Sequence, residues 1–174
     1  PAGSYDVYVA FRERPSGDDA PIKGAVLQTP LDVPDYTGAG LAASSLILAD
    51  SIEALAAPLE PDEQTERPYA FGGAEILPER DTVFARDELL TAAFLVYNAG
   101  VDGSGKPDVT VTYEFYQQSG GPAQFFNRTA PQQYSPQTLP PVFDLRAGHQ
   151  LVPIQDVPLS SFPPGGYRLE ATVT

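Results

Sequence analysis

The side chains that usually carry chemistry are sparse in this sequence. With no cysteine there is no disulfide, thiolate nucleophile or Cys-ligated metal. The one histidine, His149, follows Gly148 in a loop-like stretch and reads as a surface or hydrogen-bonded group, since a lone imidazole makes no zinc site. Asp102-Gly-Ser-Gly-Lys-Pro-Asp108 spaces two carboxylates around glycines as a calcium loop does, but it lacks the alternating Asp/Asn ligands and closing Glu. A hairpin turn is the better reading. Glu60, Asp62, Glu63 and Glu66 could hold cations loosely; a solvated face explains them as well. The 23 acidic residues make many pairs, none of which stands out as the acid and base of glycoside hydrolysis. No nucleophile elbow, phosphate-binding glycine loop or His-Glu-x-x-His occurs, so the chain reads as a non-enzyme with no cofactor and no metal.

Two weaker signals concern sugars. Asn127-Arg128-Thr129 is an N-glycosylation sequon on a predicted strand, where a chance match is the simpler account. Tyr113, Phe115, Tyr116, Phe125, Phe126 and Tyr134 gather in one hairpin and its exit. Tyr113 and Phe115 share a face with two valines, so core packing takes most of this group. Tyr116 and Tyr134 remain as candidate glycan contacts, the alternative function being a carbohydrate-binding β-sandwich module.

The elements that must position these residues follow from composition. The 19 prolines and 15 glycines are spread along all 174 residues, which makes long helices improbable and short strands with turns expected. Ten Lys and Arg stand against 23 Asp and Glu, a net charge of −13 that repels nucleic-acid phosphates and anionic membrane surfaces. Hydrophobic residues make up 42%, too many for a disordered acidic tail. No apolar run long enough for a membrane span is present, and the start at Pro1 without Met suggests a processed or trimmed chain. We expect no nucleic-acid partner and no membrane insertion.

Strand signals run the length of the chain. Tyr5, Val7, Val9 and Phe11 alternate with Asp6, Tyr8, Ala10 and Arg12 as a half-buried strand, and after a loop at Pro15 to Asp19 the chain returns through Ala25 to Val33. Leu46 to Leu48 suggests a short buried strand, Ser51 to Ala57 a single helical turn, and Pro58 to Pro68 a solvated connection. Short strands are expected at Glu75 to Leu77 and Thr82 to Phe84, with a central strand across Leu89 to Asn98. Val109 to Gln117 is the clearest strand, followed by Gln124 to Thr129, Leu139 to Leu145, Leu151 to Val157 and Tyr167 to Val173. This spacing predicts an all-β, immunoglobulin-like antiparallel β-sandwich. The expected divisions are an N-terminal strand pair at 1–34, a connecting segment with one short strand at 35–68, and a sandwich at 69–174.

The first and last strands begin alike. Pro1, Gly3 and Tyr5 match Pro163, Gly165 and Tyr167 at an offset of 162, and Val7, Val9 and Phe11 then fall on Leu169, Ala171 and Val173. A glycine turn leading into a core tyrosine whose hydroxyl bonds back upstream is the logic of a tyrosine corner. The segments Phe162-Pro-Pro-Gly-Gly-Tyr-Arg-Leu-Glu-Ala-Thr-Val-Thr, Tyr69-Ala-Phe-Gly-Gly with Ile76-Leu-Pro, and Val33-Pro-Asp-Tyr followed by Leu46-Ile-Leu-Ala resemble β-sandwich regions of bacterial envelope or secreted proteins. The regions meant are those accompanying von Willebrand A-related domains and the sandwich of GWxTD-type proteins. The resemblance spans most of Leu41 to Thr174, although the GWxTD signature and any von Willebrand A metal motif are absent. It implies a non-catalytic accessory module, extracellular or at the cell surface with the periplasm as an alternative, and it carries over no site residues.

If Tyr167 opens the penultimate strand of such a sandwich, the fold ends one strand short while the first 34 residues offer strands without neighbours. An open edge is usually covered or paired. Three closures remain: the N-terminal strands complete a sheet in the same chain, they complete it in a neighbouring copy, or the missing strand belongs to a longer protein. Closure by a neighbour gives a filament subunit assembling head to tail by strand addition. Its donor residues are Tyr5, Val7, Val9 and Phe11, and its acceptor edge is Tyr167, Leu169, Ala171 and Val173. The expected partners are other copies of the chain or adjacent domains.

Overall fold

The computed structural model describes residues 2–14, 23–38, 40–57 and 59–174. Pro1 of the repeated motif, the expected loop at Pro15 to Asp19, and Pro58 lie outside the described residues. The chain divides into two compact units, Pro1–Ala39 and Gly40–Thr174.

The first unit is a hairpin of β1 (Gly3–Arg12) and β2 (Gly24–Val33), antiparallel from Gly3 opposite Val33 to Arg12 opposite Gly24. Side chains on adjacent strands that lie opposite one another share a face. Tyr5 with Leu31, Val7 with Thr29, Val9 with Leu27 and Phe11 with Ala25 therefore form a face without a single charge. The other face mixes Ser4, Asp6, Arg12 and Asp32 with the exposed Tyr8 and Val26, and Ser4 Oγ donates to Asp32 Oδ1 at 2.6 Å. The expectation of a half-buried strand is not met: Tyr5 is 41%, Val9 54%, Phe11 68% and Leu27 64% exposed. The alternation is that of a buried strand, but among the described residues of this unit there is no second layer over the row. Such a two-stranded ribbon is marginally stable alone in water.

The second unit is an all-β antiparallel sandwich. Its elements are β3 (Ala42–Ala43), β4 (Ile47–Ala54), α1 (Pro61–Glu66), β5 (Ala70–Phe71), β6 (Ala74–Pro78), β7 (Leu89–Ala93), β8 (Val96–Tyr97), β9 (Val109–Gln118), β10 (Gln124–Arg128), β11 (Gln132–Tyr134), β12 (Ile154–Pro158) and β13 (Gly166–Val173). One sheet has five strands in the order β12-β7-β4-β6-β5. The other is built on β9: β13 runs along one edge, while β10 and β11 share the opposite edge in series, so this sheet is only three strands wide. β3 and β8 form a separate small ribbon.

The core lies between the two sheets. Leu90, Ala92 and Phe94 meet Val109, Val111, Tyr113 and Phe115, with Leu151, Val157, Leu159 and Phe162 closing the margin. A smaller cluster of Ala49, Ile76 and Ala93 occupies the other face of the five-stranded sheet. Burial of β7 on both faces agrees with the central-strand reading of Leu89 onward. The chain leaves that sheet before β8, so the strand is shorter than its apolar run.

Several expectations are corrected. Ser51 begins no helical turn, because β4 continues to Ala54 through a bulge at Ala49 to Ser51 and is the middle strand of its sheet. The connection expected at Pro58 to Pro68 contains α1, where Glu60 N–H donates to the Glu63 carboxylate and Gln64 Nε2 donates to Ala70 O at 2.7 Å. Arg67 just beyond it is ion-paired with Glu75 of β6. Thr82 to Phe84 and Leu139 to Leu145 form no strand; the latter is turns ending in a 3-10 helix at Leu145–Ala147.

Candidate assembly site

β13 is held by β9 from Gly166 opposite Gln118 to Val173 opposite Val111, and Thr110 and Thr174 exchange both backbone hydrogen bonds beyond it. Among the described residues no strand pairs with its outer edge. The inward row of β13 is the predicted acceptor set, and it lies opposite the inward row of β9: Tyr167 against Gln117, Leu169 against Phe115, Ala171 against Tyr113, Val173 against Val111. Phe115, Tyr113 and Val111 are 2%, 0% and 0% exposed, whereas Tyr167, Leu169, Ala171 and Val173 are all only half-buried. An inward-facing row left half open is what an edge strand presents.

Beside this edge lies a groove of about 470 Å3 in which Leu48 of β4 and Leu90 of β7 look across to Phe115 and Leu169, with Phe84, Phe162 and Tyr167 among the walls. Its lining is mostly apolar. Phe84, Leu90 and Phe162 were not singled out as site residues from the sequence; they are far apart along the chain, and only the sandwich brings them together.

The tyrosine-corner expectation is met at Tyr167. Its hydroxyl donates to Pro163 O at 2.8 Å, and its ring packs edge-on against Phe162 and Phe126 with centroids 5.3 and 5.4 Å away. Gly165, two residues earlier, has φ 155°, and Gly3, two residues before Tyr5, has φ 145°. Both values lie in a region essentially restricted to glycine. The two glycines of the repeated motif thus share a positive φ.

The candidate donor residues Tyr5, Val7, Val9 and Phe11 lie on one face of β1, as expected, and Leu27 and Leu31 of β2 extend the same face. In β2 the residues Ala25, Leu27, Thr29, Leu31 and Val33 alternate in the sequence as the row on β1 does.

The two candidate glycan contacts do not share a surface. Tyr134 lies opposite Val109 and packs half-buried against the core, its hydroxyl donating to Gln132 Oε1 at 3.0 Å. Burial raises its pKa. Tyr116 is on the outer face, edge-on to Phe125 at 5.9 Å, with the Arg168 guanidinium 4.9 Å from its ring. Its hydroxyl donates to Glu114 Oε2 at 2.7 Å, and that bond to a carboxylate is the main reason its pKa is raised. A ring hemmed by Phe125 and Arg168 is not a flat stacking platform.

At the faintly calcium-like loop, Asp102 Oδ1 accepts from Ser104 N at 2.8 Å, Ser104 Oγ at 2.7 Å and Lys106 N at 3.1 Å. These bonds, the Ser104 hydroxyl first, lower the Asp102 pKa. Arg146 Nη2 reaches Asp102 O at 2.6 Å, pinning the turn. Among the described residues no three His, Cys, Asp or Glu side chains are placed to hold a metal ion. His149 Nδ1 accepts from Asp144 N at 3.0 Å, and its ring lies 5.7 Å from that of Phe143. In the sequon Asn127 is exposed on β10, whereas Thr129 Oγ1 is buried. Among the described residues no helix is long and apolar enough to cross a membrane.

No protein-family model matches the chain, and no curated protein or solved structure matches it significantly.

Proposed function

We propose that the chain is a non-catalytic structural module of an exported bacterial protein, and that it joins copies head to tail by adding β1 of one to the β13 edge of the next. The observation that carries this reading is the half-open inward row of β13, which among the described residues has no strand on its outer edge and lies beside an apolar groove. The hairpin presents the complementary feature, an uncharged alternating row left in water.

The forces are ordinary ones. Strand addition satisfies the free N–H and C=O groups of an edge, and alternate side chains fill the groove. Covering a Val, Phe or Tyr-sized side chain contributes roughly 1.5–3 kcal/mol. Donor and acceptor are different surfaces, so the contact is heterologous and propagates unless a rotation closes it into a ring. The extracellular or cell-surface setting is supported by the resemblance to envelope and secreted sandwiches.

Sizing chromatography of the intact chain over a range of concentrations tests the reading. A ladder of oligomers is expected, and deletion of residues 1–14 should collapse it to monomers or misfolded aggregate. An intact chain that elutes as a monomer at every concentration would falsify assembly between copies.

A further inference from the structure

The outer face of the five-stranded sheet carries an apolar cluster of its own. Ile52 of β4 and Ile76 of β6 stand opposite one another there, and Ala74, two residues before Ile76, shares the face by alternation. Val152 packs on the same cluster and belongs to the connection between β11 and β12, residues 135–153. That connection is longer than the roughly 12–15 residues beyond which an irregular segment is uncommon and usually functional. It is held from several sides: Thr138 Oγ1 donates to Gln133 O at 2.8 Å, Leu145 N to Gly105 O at 2.9 Å, and Arg146 grips the Asp102 turn. Even so, it leaves space against the sheet. A pocket of about 460 Å3 is lined by Leu139 and Phe143 of the connection together with Ile52, Ala74 and Ile76.

We infer that this pocket binds a small, uncharged ring compound that presents a hydrogen-bond acceptor to His149. The volume falls within the roughly 300–1,000 Å3 of small-molecule sites, whose usual make-up is apolar walls with a few fixed polar groups. Phe71, Tyr134 and Phe143 supply the aromatic surfaces against which a ring packs. Among the described residues no Asp, Glu, Lys or Arg lines the pocket, so a charged ligand would lose its water without gaining a partner. An anion would also meet the field of a chain carrying −13. The polar lining is Tyr134, His149 and Gln150, and the Tyr134 hydroxyl already donates to Gln132 Oε1. At His149 the hydrogen bond from Asp144 N to Nδ1 places the proton of the neutral ring on Nε2. Nε2–H has no partner among the described residues, which makes it the donor left for a ligand, with the Phe143 ring 5.7 Å from the imidazole. Because the connection is pinned, the pocket stands ready and binding has little ordering to offset. The site does not depend on strand addition at β13.

Nile red, a neutral planar dye with a carbonyl acceptor, probes the site in the full chain. Its fluorescence should rise to saturation with a single dye bound per chain. His149→Asn keeps an acceptor for the Asp144 N–H, removes the Nε2–H donor, and should weaken binding about fivefold. Ala74→Trp extends a side chain from the sheet into the pocket and should weaken binding roughly tenfold or more. The chain has one histidine, so its imidazole nitrogen NMR signals need no assignment, and bound dye should shift the Nε2 signal. Anilinonaphthalene sulfonate, an anionic dye of similar size, should bind roughly tenfold more weakly than Nile red. No saturable binding, or binding that both variants leave unchanged, would overturn the site. If Ala74→Trp does not fold, the His149→Asn ratio and the Nε2 shift decide. An Nε2 signal that stays in place while His149→Asn binds normally would overturn the acceptor to His149 and with it the ligand class. Equal binding of the anionic dye would overturn the requirement for an uncharged ligand. Dye released as protein concentration rises would give the pocket to a second copy and overturn a small-molecule site.

Discussion

β1 and β9 are both ten-residue strands that alternate strictly, yet they end in opposite environments. β9 runs Val109, Val111, Tyr113, Phe115 through the middle of the sandwich, fully covered; β1 runs Tyr5, Val7, Val9, Phe11 along a ribbon with its apolar row largely in water. Alternation states which face requires cover. It does not state which part of which molecule supplies it.

The widest separation between the two strands should appear in stability. Tyr113→Ala empties the centre of the core beside Phe94 and should cost about 3–5 kcal/mol by denaturant unfolding of the sandwich. Tyr113→Phe keeps the ring, removes a buried hydroxyl without a hydrogen-bond partner, and should be neutral or stabilising. A large loss in the Phe variant would show that the hydroxyl has an essential partner. Val9→Asp should do the reverse of Tyr113→Ala: the oligomer ladder disappears while unfolding of the sandwich shifts by less than about 0.5 kcal/mol, as expected for an exposed site. If Val9→Asp destabilises the sandwich as a core change does, the contrast between the two strands is wrong. The smallest effect is expected at Tyr167→Phe, which deletes the bond to Pro163 O and keeps the ring packing. It should cost about 0.5–1.5 kcal/mol, and a null result would strip the corner of its energetic role.

The same contrast shows what was legible in the sequence. The all-β class, β9, β13 and the face of β1 follow from period-two alternation and from glycine and proline at the turns. At β4 the period breaks, because the bulge between Ala49 and Ser51 changes which residues face inward, and a strand running to Ala54 then looks like a strand followed by a turn of helix. β5 and β11 are too short for any local signal and exist because β6 and β9 pair with them. Leu139 to Leu145 is apolar, but Pro140 and Pro141 interrupt it and no partner strand takes it up. Of the candidate site, the two rows were readable because each lies on one strand. The groove was not, since Leu48, Phe84, Leu90 and Phe162 converge only through packing, and the two-strand difference between the sheets is a property of topology alone.

The antiparallel ladder from Gly166 to Val173, closed by the reciprocal Thr110 and Thr174 bonds, also sets how the molecule answers force. Tension applied at Thr174 along the axis of β13 loads those rungs in shear, so they must break together rather than peel one by one. A pull across the sheet would unzip them in sequence at far lower force, which makes the carboxyl end a strong point of attachment in one direction and a weak one in the other.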